Sequence, residues 1–97
     1  MLSEIRIYTI NKGEMDAFLK HFKEEIMLIH QRIGWPIVGM WVNRSQNEFI
    51  WVRTFSDAAD REAKTKAFLA EVSATKIKLG ANVAKMESRD AELLATV

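Results

Sequence analysis

Cysteine is absent from this 97-residue chain, which excludes a disulfide framework, thiolate metal sites and a thiol nucleophile. An excess of either charge is absent too: 14 basic residues stand against 13 acidic ones, for a formal net charge of +1. The basic residues are scattered among acids, so there is no stripe for a phosphate backbone and no nucleic-acid partner is expected. No apolar run approaches the length of a membrane span, and the N-terminus lacks the basic-then-apolar profile of a secretory leader. No membrane partner is expected, and a reducing cytoplasm is the expected location. Glycines number four and prolines one. None falls in a glycine fingerprint, and Asn11-Lys12-Gly13 is too little for a phosphate loop.

What is present suits one small domain over residues 1–97. The hydrophobic fraction of 48% is enough for a modest core. Residues 3–10 alternate, with Ile5 and Ile7 on one side and Glu4, Arg6 and Tyr8 on the other, which reads as a strand. Asn11 is placed to cap the next helix, with Glu14 as its capping-box partner. Met15, Phe18, Leu19, Phe22, Ile26, Ile29 and Ile33 then recur at helical steps and form one stripe. Gly34 and Pro36 end it.

Residues 36–43 and 48–55 read as two strands joined by a short polar loop. Ser56 or Asp57 caps a second helix running to about Val72, with a weaker stripe of Ala58, Phe68, Leu69 and Val72. Arg61 and Thr65 share the azimuth of Phe68 and Val72. A fourth strand is expected over residues 82–89. The order βαββαβ predicts an α+β, ferredoxin-like fold: a four-stranded antiparallel sheet with two helices on one face.

The hairpin strands are apolar on both sides. With Val42 set opposite Glu48, one face carries Ile37, Gly39, Trp41, Phe49, Trp51, Arg53 and Phe55. The other carries Val38, Met40, Val42, Ile50 and Val52. Helices cover only one face, so a second copy stacked sheet to sheet is expected to cover the other, giving a homodimer. The alternative is that the C-terminal tail folds back over its own sheet.

Two groups of residues have the chemistry for a site. His21 and His30 lie nine apart on opposite sides of one helix, so they cannot share a metal within one chain, and no metal site is expected. His21 reads as a surface residue. His30 lies at the edge of the apolar stripe, either as a boundary residue bonded to a carbonyl or as a polar group at a cavity rim, placed to act as a base. The second group is Arg6 and Tyr8 on the first strand with Trp41, Trp51 and Arg53 on the hairpin. If the two sets face the same way, they line a cavity with aromatic walls and two guanidinium forks, suited to a small planar molecule carrying a carboxylate, enolate or phenolate. The alternative is a packed aromatic layer with the arginines paired to Glu4, Glu48 or Glu87.

Glu4-Ile5-Arg6-Ile7-Tyr8, the turn Asn11-Lys12-Gly13 before Met15, Phe18 and Leu19, Val38-Gly39-Met40-Trp41-Val42, and Asn47-Glu48-Phe49-Ile50-Trp51-Val52-Arg53 together carry a resemblance. The chain resembles a bacterial NIPSNAP-type protein of the dimeric α/β-barrel superfamily. That resemblance implies two ferredoxin-like subunits joined through their sheets into a barrel. Its relatives include cofactor-independent monooxygenases, haem-degrading enzymes, ring-pathway isomerases and many proteins of unknown activity. The haem-degrading relatives use an Asn on the first strand, a Trp on the third and a His on the second helix. Here Trp51 matches, but Asn11 lies beyond the strand and the second helix has no histidine, so no haem and no other cofactor is expected. The leading expectation is a dimer that binds a small, partly apolar or aromatic molecule through Arg6, Tyr8, His30, Trp41, Trp51 and Arg53. The alternatives are a cofactor-independent monooxygenase or isomerase, and a structural dimer without activity.

Overall fold

The alternation at the start of the chain becomes β1 (Leu2–Ile10) in the computed structural model, which describes residues 1–97. The helix after it runs in three segments: α1 (Met15–His21), a π-helical stretch (Phe22–Ile26) and α2 (Met27–Ile33). Gly34 ends it at φ 74°, in the left-handed region that suits a residue without Cβ. Trp35 N–H then closes on the His30 carbonyl at 2.9 Å. β2 (Ile37–Asn43), a 3-10 turn (Arg44–Gln46), β3 (Glu48–Phe55), α3 (Ala58–Thr75) and β4 (Val83–Glu92) complete the chain. The expected order holds, although α3 continues past Val72 and β4 past Arg89.

Helix entry differs from expectation at one end and matches at the other. Asn11 is not the cap of α1: the helix starts at Met15, and the Glu14 carboxylate accepts from Asn82 Nδ2 at 2.7 Å instead of closing a capping box. Asp57 does cap α3, accepting from Asp60 N–H at 2.8 Å, while Asp60 accepts from Ser56 N–H. The α3 stripe is not the expected one. Ala58 and Leu69 are exposed, Phe68 is the buried residue, and Arg61, Thr65 and Val72 are half-buried beside it.

The strands pair antiparallel in the order β2-β3-β1-β4, a ferredoxin-like sheet. Both helices lie on one face: Phe18 and Phe22 stack on Phe49 with ring centroids 4.9 and 4.8 Å apart, and Arg61 of α3 lies over Phe55 at 4.1 Å. The hairpin register is one residue from the expected one. Asn43, not Val42, opposes Glu48, and the ladder slips again between Ile37 and Gly39. A one-residue slip moves a side chain to the opposite face. Met40 and Val42 therefore join Phe49 and Trp51 on the helix side, and Trp41 joins Ile50 and Val52 on the outer side.

That outer side has no cover from its own chain. Ile5, Ile7, Ile50 and Val52 are only half-buried, and Trp41 is 53% exposed. The Trp41 ring lies along the strand against Gly39, where a Cβ would sit 2.7 Å from its Cη2. The tail does not fold back over the sheet: Leu94 is 98% exposed.

Candidate functional site

Pairing of β1 with β3 assembles the site. Glu4 opposes Arg53, Arg6 opposes Trp51 and Tyr8 opposes Phe49, so all six side chains share the helix-facing side. Here the two residue sets left open by the sequence do meet, without Trp41, which the register sends to the other face.

At the centre lies a buried ion pair. Arg53 donates to Glu4 Oε1 from Nε at 3.0 Å and from Nη2 at 2.7 Å. Its Nη1 donates to His30 Nε2 at 3.1 Å. The flat guanidinium stacks on Trp35, 3.7 Å from the ring centroid. Arg6 adds a third bond to the same carboxylate oxygen, from Nη1 at 2.9 Å, and its Nε donates to the Tyr8 hydroxyl at 3.0 Å. The expected alternative of arginines paired to Glu4 is thus part of the arrangement. Glu48 and Glu87 are not: they meet Asn43 and Lys85. Burial works to raise the Glu4 pKa, but the charge and hydrogen bonds of Arg53 and Arg6 outweigh it and hold the carboxyl below its usual range.

His30 is 1% exposed, buried in the core instead of lying at a rim. Its Nδ1 donates to the Ile26 carbonyl at 2.9 Å, leaving Nε2 to accept from Arg53. Burial pushes its pKa down to about 4. With both nitrogens engaged, the ring has no free lone pair and is not placed to act as a base. The π-helical stretch contributes to this position. Met27 N–H reaches back five residues to the Phe22 carbonyl, and the wider turn rotates the helix beyond it, carrying His30 inward.

Beside the ion pair is a cavity of about 100 Å³. Arg6, Tyr8, Trp51 and Arg53 form its floor, and Phe18, Phe22 and Ile26 of the first helix form its wall with Phe68 of α3. Tyr8 meets Phe18 and Trp51 edge to face at 6.0 and 6.1 Å. The rim is made by His21, Leu79, Gly80 and Met86. His21 is therefore half-buried at the mouth, not a free surface residue. Its Nδ1 lies 2.5 Å from Glu25 Oε2 and its Nε2 3.2 Å from the Lys78 carbonyl, tying the residue 76–82 loop to the first helix.

Sequence reasoning missed Trp35, Glu4 as the shared acceptor, and Phe68 as a wall. A tryptophan placed between the helix-stopping Gly34 and Pro36 was the available signal for the first. Phe68 had already stood out on the α3 stripe. The π-helical stretch left no local signature.

These features define a ferredoxin-like α+β protein whose sheet and first helix enclose an aromatic cavity beside a buried carboxylate–guanidinium network. The chain belongs to the NIPSNAP family, whose model matches residues 3–95. Among solved structures, it is similar to an uncharacterized NIPSNAP domain protein from Burkholderia xenovorans, with 24% identity, TM-score 0.86, and coverage of 100% of this chain and 98% of that one. It shares its fold with a putative antibiotic biosynthesis monooxygenase from Nitrosomonas europaea, at 11% identity, TM-score 0.69, and coverage of 98% and 100%. It also shares it with a dimeric ferredoxin-like protein from an uncultured marine organism, at 14% identity, TM-score 0.66, and coverage of 99% and 95%. No curated protein matches the chain.

Proposed function

We propose that the chain works as a homodimer that binds a small, partly apolar or aromatic molecule in the cavity between sheet and first helix. The observation that carries this reading is the cavity itself, with aromatic walls and two charged guanidinium groups on its floor. Binding sites are typically apolar concavities with a few polar groups that fix orientation. The volume is below the usual range for a drug-sized ligand, so the ligand is about ring-sized or extends through the mouth. The dimer is supported by the uncovered apolar side of the sheet and by the dimeric state of one structural neighbour.

A second reading, oxygenation or isomerisation without a cofactor, is favoured by the fold shared with the putative monooxygenase. In that reading Arg6 would stabilise a developing oxyanion, and Tyr8 would be the group left to move a proton, since His30 is fully engaged.

Native mass spectrometry with a panel of ring-sized ligands tests the binding reading. A dimer mass carrying up to one ligand per chain is expected. Met86→Trp, a change at the half-exposed rim, is expected to abolish the adduct while leaving the melting temperature within a few degrees. Adducts unaffected by that variant would place binding elsewhere. Oxygen uptake with a phenol and quinol panel separates enzyme from binder.

A further inference from the structure

The hydrogen-bonding capacity left over in this cavity is one-sided. Arg53 is engaged at all three nitrogens: Nε and Nη2 go to Glu4, Nη1 goes to His30, and one face lies on Trp35. Arg6 is not. Its Nε and Nη1 are engaged, but Nη2 makes no hydrogen bond to the protein, and the side chain is 23% exposed. Tyr8 accepts from Arg6 through its hydroxyl oxygen, so its own O–H proton remains to be donated. Acceptors are lacking: no carboxylate or side-chain amide lines the cavity, and three donors converge on Glu4 Oε1. The charge is equally one-sided. Glu4 offsets one of the two guanidinium groups on the floor, His30 is neutral, and Arg61 pairs with Asp90 at 2.6 Å.

We infer that the ligand of this cavity is a monoanionic carboxylate on a flat or short apolar body, its carboxylate bridging Arg6 Nη2 and the Tyr8 hydroxyl. The inference rests on the binding reading above and names the ligand class for the same cavity. A carboxylate offers two acceptor oxygens to two neighbouring donors and meets the uncompensated charge. A neutral amide brings donors of its own into a site with no carboxylate or side-chain amide to accept them, and a cation meets a like charge. The Glu4–Arg53–His30 network is then the rigid frame that positions Arg6, and Arg6 and Tyr8 are the groups that touch ligand.

The test is calorimetric titration near neutral pH with benzoate, phenylacetate and hexanoate, each beside its own amide, and with benzylamine. At least one acid is expected to bind tenfold or more tightly than its amide, and benzylamine not to bind. Arg6→Met is expected to reduce acid affinity at least tenfold without changing that of the amide. Tyr8→Phe, which keeps the ring packing, is expected to reduce acid affinity severalfold and gives the same discrimination if Arg6→Met fails to fold. Amides that bind as well as the acids would overturn the carboxylate inference and leave a binding cavity intact. Silence from every probe, neutral ones included, would overturn the binding reading as well.

Discussion

His30 donates from Nδ1 to the Ile26 carbonyl and accepts at Nε2 from Arg53, so the folded ring is neutral and carries its proton on Nδ1. In the unfolded chain it protonates near its ordinary 6.5, and in the fold only at about 4. The unfolded state therefore binds more protons between those values. Stability from this residue is complete above pH 6.5 and is lost as the pH falls toward 4, by on the order of 3 kcal/mol. Urea unfolding across that window should show the loss. His30→Gln, which keeps an acceptor for Arg53 but has nothing to titrate, should flatten it. Glu4 follows a separate acid limb. Its folded pKa is lowered, so its contribution is present above the ordinary carboxylate range and is lost as pH falls through the lower folded value. A variant that retained the full slope between 6.5 and 4 would assign the effect to another group.

The first helix places both the cavity wall and the histidine, and it does so through its π-helical stretch (Phe22–Ile26). Lys23, Glu24 and Glu25 lie on the solvent side of that stretch. Deleting Glu24 removes no packed side chain, and since a π turn absorbs one extra residue while the turns on either side keep their phase, it leaves a regular α-helix with α2 oriented as before. His30 then stays beside Arg53 and the buried network keeps its members. Such a deletion is expected to change stability by no more than about 1 kcal/mol, as an exposed substitution does. It should also retain the acid limb between pH 6.5 and 4, and loss of that limb would show that α2 had turned. A second element is held by His21, whose two nitrogens face Glu25 and the Lys78 carbonyl. His21→Ala is expected to speed amide exchange of residues 78–82 while leaving β1 and β3 protected. Uniform acceleration across the chain would instead indicate a global loss of stability.

For the molecule as a whole, the two faces of one sheet have different fates. Tyr8, Phe49 and Trp51 face the helices and are buried, while Ile5, Ile7, Ile50, Val52 and Trp41 face outward with no cover from their own chain. Trp41→Glu places a charge in the middle of that outer surface. Sedimentation velocity should show a dimer for the parent chain and a shift to monomer for the variant, because an unpaired buried charge costs several kcal/mol. A parent chain that sediments as a monomer at high concentration would remove the dimer from the proposal.

Strand, helix and hairpin assignments, and therefore the ferredoxin-like order, were readable along the chain because period-two and 3.6-residue patterns are local. So was the observation that both sides of the hairpin are apolar. The assembly of Arg6, Tyr8, Trp51 and Arg53 was half readable: each residue stood out, but their common face depends on which residue of β1 lies opposite which residue of β3. Trp41 was misplaced for the same reason, since one residue of slip in β2 inverts its direction. His30 was placed at the edge of its stripe because an ideal helix puts it there, and only the π turn brings it inside. Pattern along a strand or helix is set by neighbours in sequence, whereas register, helix rotation and the sharing of Glu4 between two arginines are settled by contacts between distant segments. A single chain read linearly contains no record of those contacts.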